Sequence, residues 1–285
     1  MTTHLIDAAA LAAQLADSDC LVVDCRADLL DYGWGLRHYQ AGHIPGAVHA
    51  SLATDLSGPA GPTTGRHPLP SAEQFAATLS RWGVTPATRV IAYDQGPGPY
   101  AARLWWLLRA VGHNAVRVLD GGWAAWTSAA LPVQTDIDSR AASIVAVRAL
   151  SGWVDADVVL AAARDGSARV VDARGADRYA GQNETIDPVA GHIPTAVNHP
   201  FTANLGSDGH FKTPQQLREQ WLVRLGAFAP TQMLASCGSG ITACHNLLAL
   251  SQAGLEGGRL YAGSWSHWIR DPHRPIATGS EPGSL

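Results

Sequence analysis

Lysine is all but missing from this chain of 285 residues: of its 20 basic side chains only Lys212 is a lysine, and the rest are arginine. The 24 acidic residues outnumber them, leaving a net charge of −4. No basic field is there to hold nucleic acid, so nucleic acid is not an expected partner. Long apolar runs are lacking as well, none approaching the ~20 residues of a membrane span. The first residues carry Asp7, Asp17 and Asp19 with no basic stretch, so no secretory leader is expected. Cysteine is scarce: Cys20, Cys25, Cys237 and Cys244 are the four, and no two have C-x-x-C spacing. That excludes a disulfide framework and the usual zinc patterns. The expected address is a reducing cytoplasm, away from membranes, with no metal and no cofactor.

What is present is a globular composition, 46% hydrophobic and 15% charged, in a chain long enough for two ordinary domains. Four landmarks occur twice in the same order, roughly 142–149 residues apart. "VVDCR", ending at Arg26, returns as "VVDAR", ending at Arg174. "AGHIPGAV" (41–48) returns as "AGHIPTAV" (190–197). "VIAYD" (90–94) answers "MLASC" (233–237), and "LDGGWAAW" (119–126) answers "YAGSWSHW" (261–268). A period this long means a duplicated domain, since solenoid repeats run ~20–50 residues. Residues 131–152 read as the connection, with Pro132 closing the first copy and the second starting near Trp153.

Within each copy, short apolar runs alternate with helical stretches. "ARVVDAR" and "TQMLASC" read as buried strands. "TPQQLREQWLVRLG" reads as a helix capped by Thr213, with Pro214 in its first turn and Gly226 at its end. "ACHNLLALSQAG" reads as a helix ended by Gly254, and "LIDAAALAAQLADSD" as an N-terminal helix with polar ends. This alternation predicts an α/β fold, each copy a parallel sheet with helices on both faces. Ligands on such sheets bind at the carboxyl ends of strands.

Cys237 stands at such an end, in "SCGSGITACHN" (236–246). Gly238 and Gly240 let the chain turn from strand to helix through conformations closed to other residues. Successive N–H groups in such a turn form an anion-binding hollow, and the helix that follows adds its own free N–H groups and partial positive charge. A thiolate is an anion, and thiols at helix N-termini are characteristically acidic, with pKa values of about 3.5–7.5 in place of ~8.5. Ser239 and Thr242 add hydroxyls. Cys237 is therefore the candidate nucleophile. Cys20, Cys25 and Cys244 read as packed core residues, and His245 as a helix-surface or partly packed side chain.

Rival chemistries fail on spacing. A cysteine phosphatase needs an Arg six residues beyond the nucleophile, where this chain has Ala243. A serine hydrolase elbow needs G-x-S-x-G, but Cys237 holds the first glycine's place before Ser239. In the first copy "GPGPYA" (96–101), with Asp120 beyond it, matches a nucleotide-binding pattern. Pro97 and Pro99, however, each remove an N–H that a phosphate would need. The stretch aligns with the Cys237 loop and reads as a degenerate copy of it, with Asp94 in the cysteine's place.

Taken together, "GHIPGAV", "GHIPTAV", "LDGGWAAW", "AGSWSHW" and "CGSGITACH" resemble the rhodanese family in its tandem form, nearest its thiosulfate and 3-mercaptopyruvate sulfurtransferases. The resemblance covers most of the chain. It implies two tandem rhodanese-like domains: 1–133 without a catalytic cysteine, a linker over 134–152, and a catalytic domain over 153–285. It implies a sulfane-sulfur transfer from a small anionic donor, thiosulfate or 3-mercaptopyruvate, to cyanide, a small thiol or a thioredoxin-like protein, through a persulfide on Cys237. Arg178 would bind the donor, with the loop residues Gly238, Ser239, Gly240, Ile241 and Thr242. Arg174 suits an orienting ion pair with Asp172. His67, with Asp55, would reach Ser239 from the first domain and make the site an interdomain cleft. The mercaptopyruvate branch usually has a second Arg shortly before the second GHIP motif; here that stretch holds Asp187 and no Arg. His43 and His192 of the two GHIP motifs are expected to bond the backbone of a tight loop, and Trp123, Trp126, Trp265 and Trp268 to pack the core. A monomer is the default expectation, because two copies can form an internal pseudo-dimer. The rival from another class is a non-catalytic rhodanese-like binding or regulatory protein, whose mark would be loss of the nucleophile. A cysteine phosphatase or arsenate reductase on the same fold is the third reading, opposed by the absent Arg.

Overall fold

The computed structural model describes residues 3–137 and 140–285; Asp138 and Ser139 of the expected linker lie outside the described residues. The chain forms two compact units. One takes the chain up to Pro59, then Leu69–Ser151 and Ser207–Phe211; the other takes Ala60–Pro68, Gly152–Gly206 and Lys212–Leu285.

The first unit holds β1 (Leu5–Ile6), β2 (Cys20–Asp24), β3 (Val48–His49), β4 (Arg89–Tyr93) and β5 (Val116–Leu119), in the order β1-β5-β4-β2-β3. The second holds β6 (Trp153–Val154), β7 (Arg169–Asp172), β8 (Val197–Asn198), β9 (Met233–Ser236) and β10 (Arg259–Tyr261), in the order β6-β10-β9-β7-β8. Every pairing within the two sheets is parallel, and the second order repeats the first strand for strand. Parallel strands covered on both faces must be apolar throughout, and β2 and β9 are buried at every position. Leu21, Val23, Leu234 and Ala235 are fully buried; each large one stabilises its core by on the order of 1.5–3 kcal/mol.

The helices follow their local signals. Thr213 caps Pro214–Leu225 through a capping box with Gln216, and Gly226 ends that helix at positive φ. Thr242–Gln252 ends just before Gly254, also at positive φ. The N-terminal stretch departs from its reading as one helix. Leu5 and Ile6 pair with Val118 and Leu119 as an edge strand, and the helix is only Ala8–Ala12, begun where the Asp7 side chain accepts from Ala10 N–H. Alanine-rich sequence favours helix locally, but the open edge of β5 and the Asp7 cap decide where it starts. The connecting segment packs on the first unit: Ser143 N–H donates to Ser80 O at 3.1 Å and Ser151 N–H to Ala110 O at 3.1 Å.

The GHIP motifs and tryptophans do structural duty. His43 Nδ1 meets Tyr39 O at 2.8 Å, His192 Nδ1 meets Tyr179 O at 2.9 Å, and each imidazole stacks on the same tyrosine. Trp126, Trp265 and Trp268 are buried, their indole N–H groups on Pro132 O, Val189 O and Pro275 O. No helix among the described residues is long and apolar enough to cross a membrane.

Candidate active site

Strands β7 and β9 are neighbours and end at the same edge of their sheet, so the segments that follow them meet there. After β9 comes Cys237, buried, at the foot of the turn that leads into the helix Thr242–Gln252. Three bonds from one short helix, Ser264–Trp268, fix that turn from outside. Cys237 N–H donates to Ser264 Oγ (3.0 Å), while Trp265 N–H and Ser266 N–H donate to Cys237 O and Gly238 O (2.9 Å each). With its first carbonyls engaged outward, the turn directs Gly240 N–H onto Cys237 Sγ at 3.1 Å. Gly240 has φ +80°, and a Cβ there would lie 2.5 Å from Ala262 O, so only glycine fits. Cys244 lies one turn along the helix, its thiol donating to Gly240 O at 3.2 Å within the core.

Ser239 Oγ lies 2.8 Å from His67 Nδ1, both side chains buried. The segment carrying His67, Ala60–Pro68, belongs to the same unit as Ser239, not to the first unit as its place in the sequence suggests. Gly65 is the reason: its backbone lies so close to Gly263 that a Cβ would stand 2.5 Å from Gly263 O, and Arg66 N–H donates to Ser266 Oγ at 3.1 Å. Asp55 stays in the first unit, where it accepts from Ser51 N–H (2.9 Å) and Thr78 Oγ1 and pairs with Arg81.

After β7, Arg174 is fully engaged: its guanidinium holds the Asp172 carboxylate at 2.7–3.2 Å, donates to Gly191 O at 2.8 Å, and lies over the Trp265 ring at 5.0 Å. At 1% side-chain exposure it does not face solvent. It also touches Glu184 at 3.4 Å. Glu184 in turn accepts from Arg178 through Nε and Nη2 at 2.8–3.2 Å, and from Ile186 N–H and Asp187 N–H. Burial pushes the Glu184 carboxyl up, but Arg178 and those two N–H groups outweigh it and hold its pKa below the ordinary value. Arg178 also reaches Asp187 at 3.4 Å, and Asp187 forms a direct ion pair with Arg66. Asp187 goes the other way: burial, with Glu184 nearby, holds its pKa above the ordinary value despite Arg66 and Arg178.

Arg66 is a side chain of this junction that sequence reasoning passed over. A Cβ placed on Gly238 would lie 3.1 Å from Arg66 Nη2 and 3.5–3.7 Å from Arg178 Nη2 and Nη1. Two guanidinium groups from distant segments therefore converge on the residue next to Cys237. Only its adjacency to His67 in "GRHPLP" pointed there. His245, read as a surface or partly packed residue, is instead fully buried: Asn204 Nδ2 lies 3.2 Å from its Nδ1 and Phe201 packs edge-on. The 3-10 turn Phe201–Asn204 covers that helix face.

The matching turn of the first unit shows what has become of the other copy. Asp94 is buried, and its carboxylate accepts from Gly96, Gly98, Tyr100 and Ala101 N–H groups at 2.9–3.2 Å. Burial keeps its pKa above the ordinary value even so. A built-in anion fills the hollow, and Asp120 is likewise engaged, accepting from Phe211 N–H at 2.9 Å.

Two stretches of the chain, residues 7–129 and 155–271, match the family model described as a rhodanese-like domain. A Pseudomonas aeruginosa protein named a probable 3-mercaptopyruvate sulfurtransferase is 47% identical over 281 residues, 98% of this chain and 99% of its own length. SseB of Mycobacterium tuberculosis, with thiosulfate sulfurtransferase in its name, is 37% identical over 279 residues, 97% of each chain. The solved structure of SseA from Escherichia coli, described with the fold and catalytic mechanism of 3-mercaptopyruvate sulfotransferases, is similar with a TM-score of 0.80 at 31% identity, covering 93% of this chain and 100% of that one.

Proposed function

The chain belongs to the rhodanese family as a tandem-domain sulfurtransferase, and on that premise we propose that Cys237 carries the sulfur, taking it from thiosulfate or 3-mercaptopyruvate and passing it to cyanide or a thiol. The observation that carries this reading is the junction after β9. Cys237 Sγ accepts an N–H from its own turn while two guanidiniums stand over Gly238 beside it.

In the first half-reaction the Cys237 thiolate attacks the outer sulfur of the donor. A new S–S bond forms, and the donor's own bond to that sulfur breaks. Its electron pair leaves with sulfite from thiosulfate, or with the carbon of 3-mercaptopyruvate, which takes up a proton to give pyruvate. Arg178 holds the donor's anionic end, the turn 238–242 supplies N–H groups to charge on sulfur, and Ser239, backed by His67, offers a hydroxyl to the departing group. In the second half-reaction the acceptor attacks the outer persulfide sulfur and the Cys237 thiolate leaves. Thiocyanate or an acceptor persulfide is the product, and the kinetics are ping-pong. Arg174, closed around Asp172, positions and does not bind. A thioredoxin-like protein, with its low-pKa thiol, fits the acceptor's chemistry. A reducing cytoplasm fits four cysteines that are all free thiols, and a monomer is the default reading for a duplicated chain.

The test is kcat/KM for 3-mercaptopyruvate and for thiosulfate, with cyanide as acceptor, in wild type and Cys237→Ser. We expect turnover with at least one donor, a persulfide mass on the Cys237 peptide, and loss of both in Cys237→Ser. Turnover that survives the substitution, or none with either donor, would refute the reading.

A further inference from the structure

We infer that Cys244 is a positioning residue for Cys237, acting through Gly240. The inference rests on the reading of Cys237 as the sulfur carrier, and it gives a part to a buried thiol that the two half-reactions leave out. Gly240 is held by a sulfur on either side. Its N–H donates to Cys237 Sγ at 3.1 Å, and its carbonyl accepts from the Cys244 thiol at 3.2 Å. The Cys244 side chain reaches back to the carbonyl four residues before it, as serine and threonine side chains do in helices. Cys244 is itself firmly placed: it is fully buried, as are Ala243 and Leu248 of the same helix, Thr242–Gln252.

Gly240 needs such a hold. Its φ of +80° lies in the left-handed region, and it has no side chain of its own to pack against the fold. Ala262 O closes one side, 2.5 Å from where a Cβ would stand. The Cys244 thiol fixes the peptide plane that follows Gly240, and with it the direction in which the Gly240 N–H points. The first unit lacks both parts. In the register that sets Asp94 against Cys237, Pro97 stands in place of Gly240 and Ala101 in place of Cys244. Pro97 has no N–H to direct, and Ala101 has no donor side chain. The donor thiol occurs in the unit whose turn carries a sulfur. Its consequence falls on the second half-reaction. When the acceptor attacks the outer sulfur, the S–S bond breaks and its electron pair settles on Cys237 Sγ, the atom at which the Gly240 N–H is aimed. A donor held in place before the charge arrives stabilises it without reorganising. A Gly240 left to swing supplies less of this, both to the departing thiolate and to the resting one.

The test compares Cys244→Ala with Cys244→Ser in the full chain. Both remove the sulfur and leave a similar small void, but only serine keeps a donor for the Gly240 carbonyl. In single turnover, discharge of the preloaded persulfide by cyanide, read as thiocyanate, should slow about threefold to fivefold in Cys244→Ala, with the KM of the donor unchanged. The pH midpoint for alkylation of Cys237, followed by fragment masses that separate it from position 244, should rise by roughly half a pH unit in the same variant. Cys244→Ser should restore both toward wild type. Cys244→Val, which fills the void without a donor, should behave as Cys244→Ala does. Equal changes in the serine and alanine variants, no change in either, or recovery in Cys244→Val would overturn the inference and leave Cys244 a packing residue. A wild type that loads no persulfide from either donor would sink the sulfur-transfer reading instead. The alkylation profile needs no donor, and it would still decide whether Cys244 acts on Cys237.

Discussion

Gly240 must do two things at once: adopt a left-handed conformation and let its N–H reach the sulfur of Cys237 while its Cα side faces Ala262 O. Alanine satisfies neither. Gly240→Ala is expected to cost about 1–3 kcal/mol of stability, from the positive φ and the 2.5 Å approach to Ala262 O. It should also lower kcat/KM at least tenfold, because the displaced N–H no longer meets the sulfur. Urea denaturation and steady-state rates on the same preparation check both, and a fully active, fully stable variant would contradict the assignment. At this scale much about Cys237 was legible in the sequence, and little about its surroundings. Cys237 stood out because the glycines and hydroxyls needed to turn a strand into a helix are contiguous with it. Arg66, Glu184 and Asp187 carry no such local mark. Arg66 reaches the site only because Gly65 lacks a side chain and lets a distant segment lie against Gly263.

At the scale of elements, the helix that starts at the active-site turn is anchored at its middle by a buried polar network. His199 Nε2 meets Asn204 Oδ1 at 3.1 Å, Asn204 Nδ2 donates to Asn246 Oδ1 at 2.8 Å, and Asn246 Nδ2 donates to His199 O at 2.9 Å. His199 packs on Trp221 of the helix Pro214–Leu225, so three elements share this knot. Burial, reinforced by Arg224 and Lys212, lowers the His199 pKa from 6.5 to about 4. A base whose folded pKa is depressed contributes stability that is whole above its unfolded pKa and is lost as pH falls through the folded one. The window is therefore pH 6.5 down to 4, and between pH 7 and pH 5 the loss is about 2 kcal/mol. Glu184, lowered, adds to acid sensitivity at lower pH, while Asp187, raised, opposes it. The informative quantity is thus the difference between wild type and His199→Gln, which keeps a donor for Asn204 but does not titrate. Denaturant midpoints at pH 7 and pH 5 should converge for the two proteins as pH falls, and parallel curves would remove His199 as the source. Sequence periodicity found these helices and their caps, because those signals are local. It missed the burial of His245 and the edge strand Leu5–Ile6, because both depend on partners far along the chain, Asn204 for one and β5 for the other.

For the whole molecule, the duplication was readable from four repeated landmarks, and the repeated strand order bears it out down to the sheet edge. What repetition in sequence does not convey is how differently two equivalent turns can be used. Both turns follow the central strand, and both are pinned from outside by the next helix: Trp123 N–H donates to Asp94 O at 2.8 Å as Trp265 N–H donates to Cys237 O. In one, four N–H groups close on the protein's own carboxylate; in the other, a cysteine sulfur accepts one N–H and two guanidiniums stand over the residue beside it. If the turn alone made the chemistry, moving the cysteine would move the activity. What surrounds the two turns differs. Pro97 and Pro99 leave two positions of the first turn without N–H groups. After β2, Arg26 repeats the closed pair of Arg174, held by Asp24 and Gly42 O, but position 30, where the repeat register places the counterpart of Arg178, is Leu30. We therefore expect Asp94→Cys combined with Cys237→Ser to transfer sulfur from thiosulfate or 3-mercaptopyruvate no faster than the uncatalysed background, although the new thiol occupies an anion hollow. Thiocyanate formation and intact mass after donor treatment measure this. A persulfide that forms on Cys at position 94 and turns over would mean that the turn suffices and that the guanidiniums over Gly238 are dispensable.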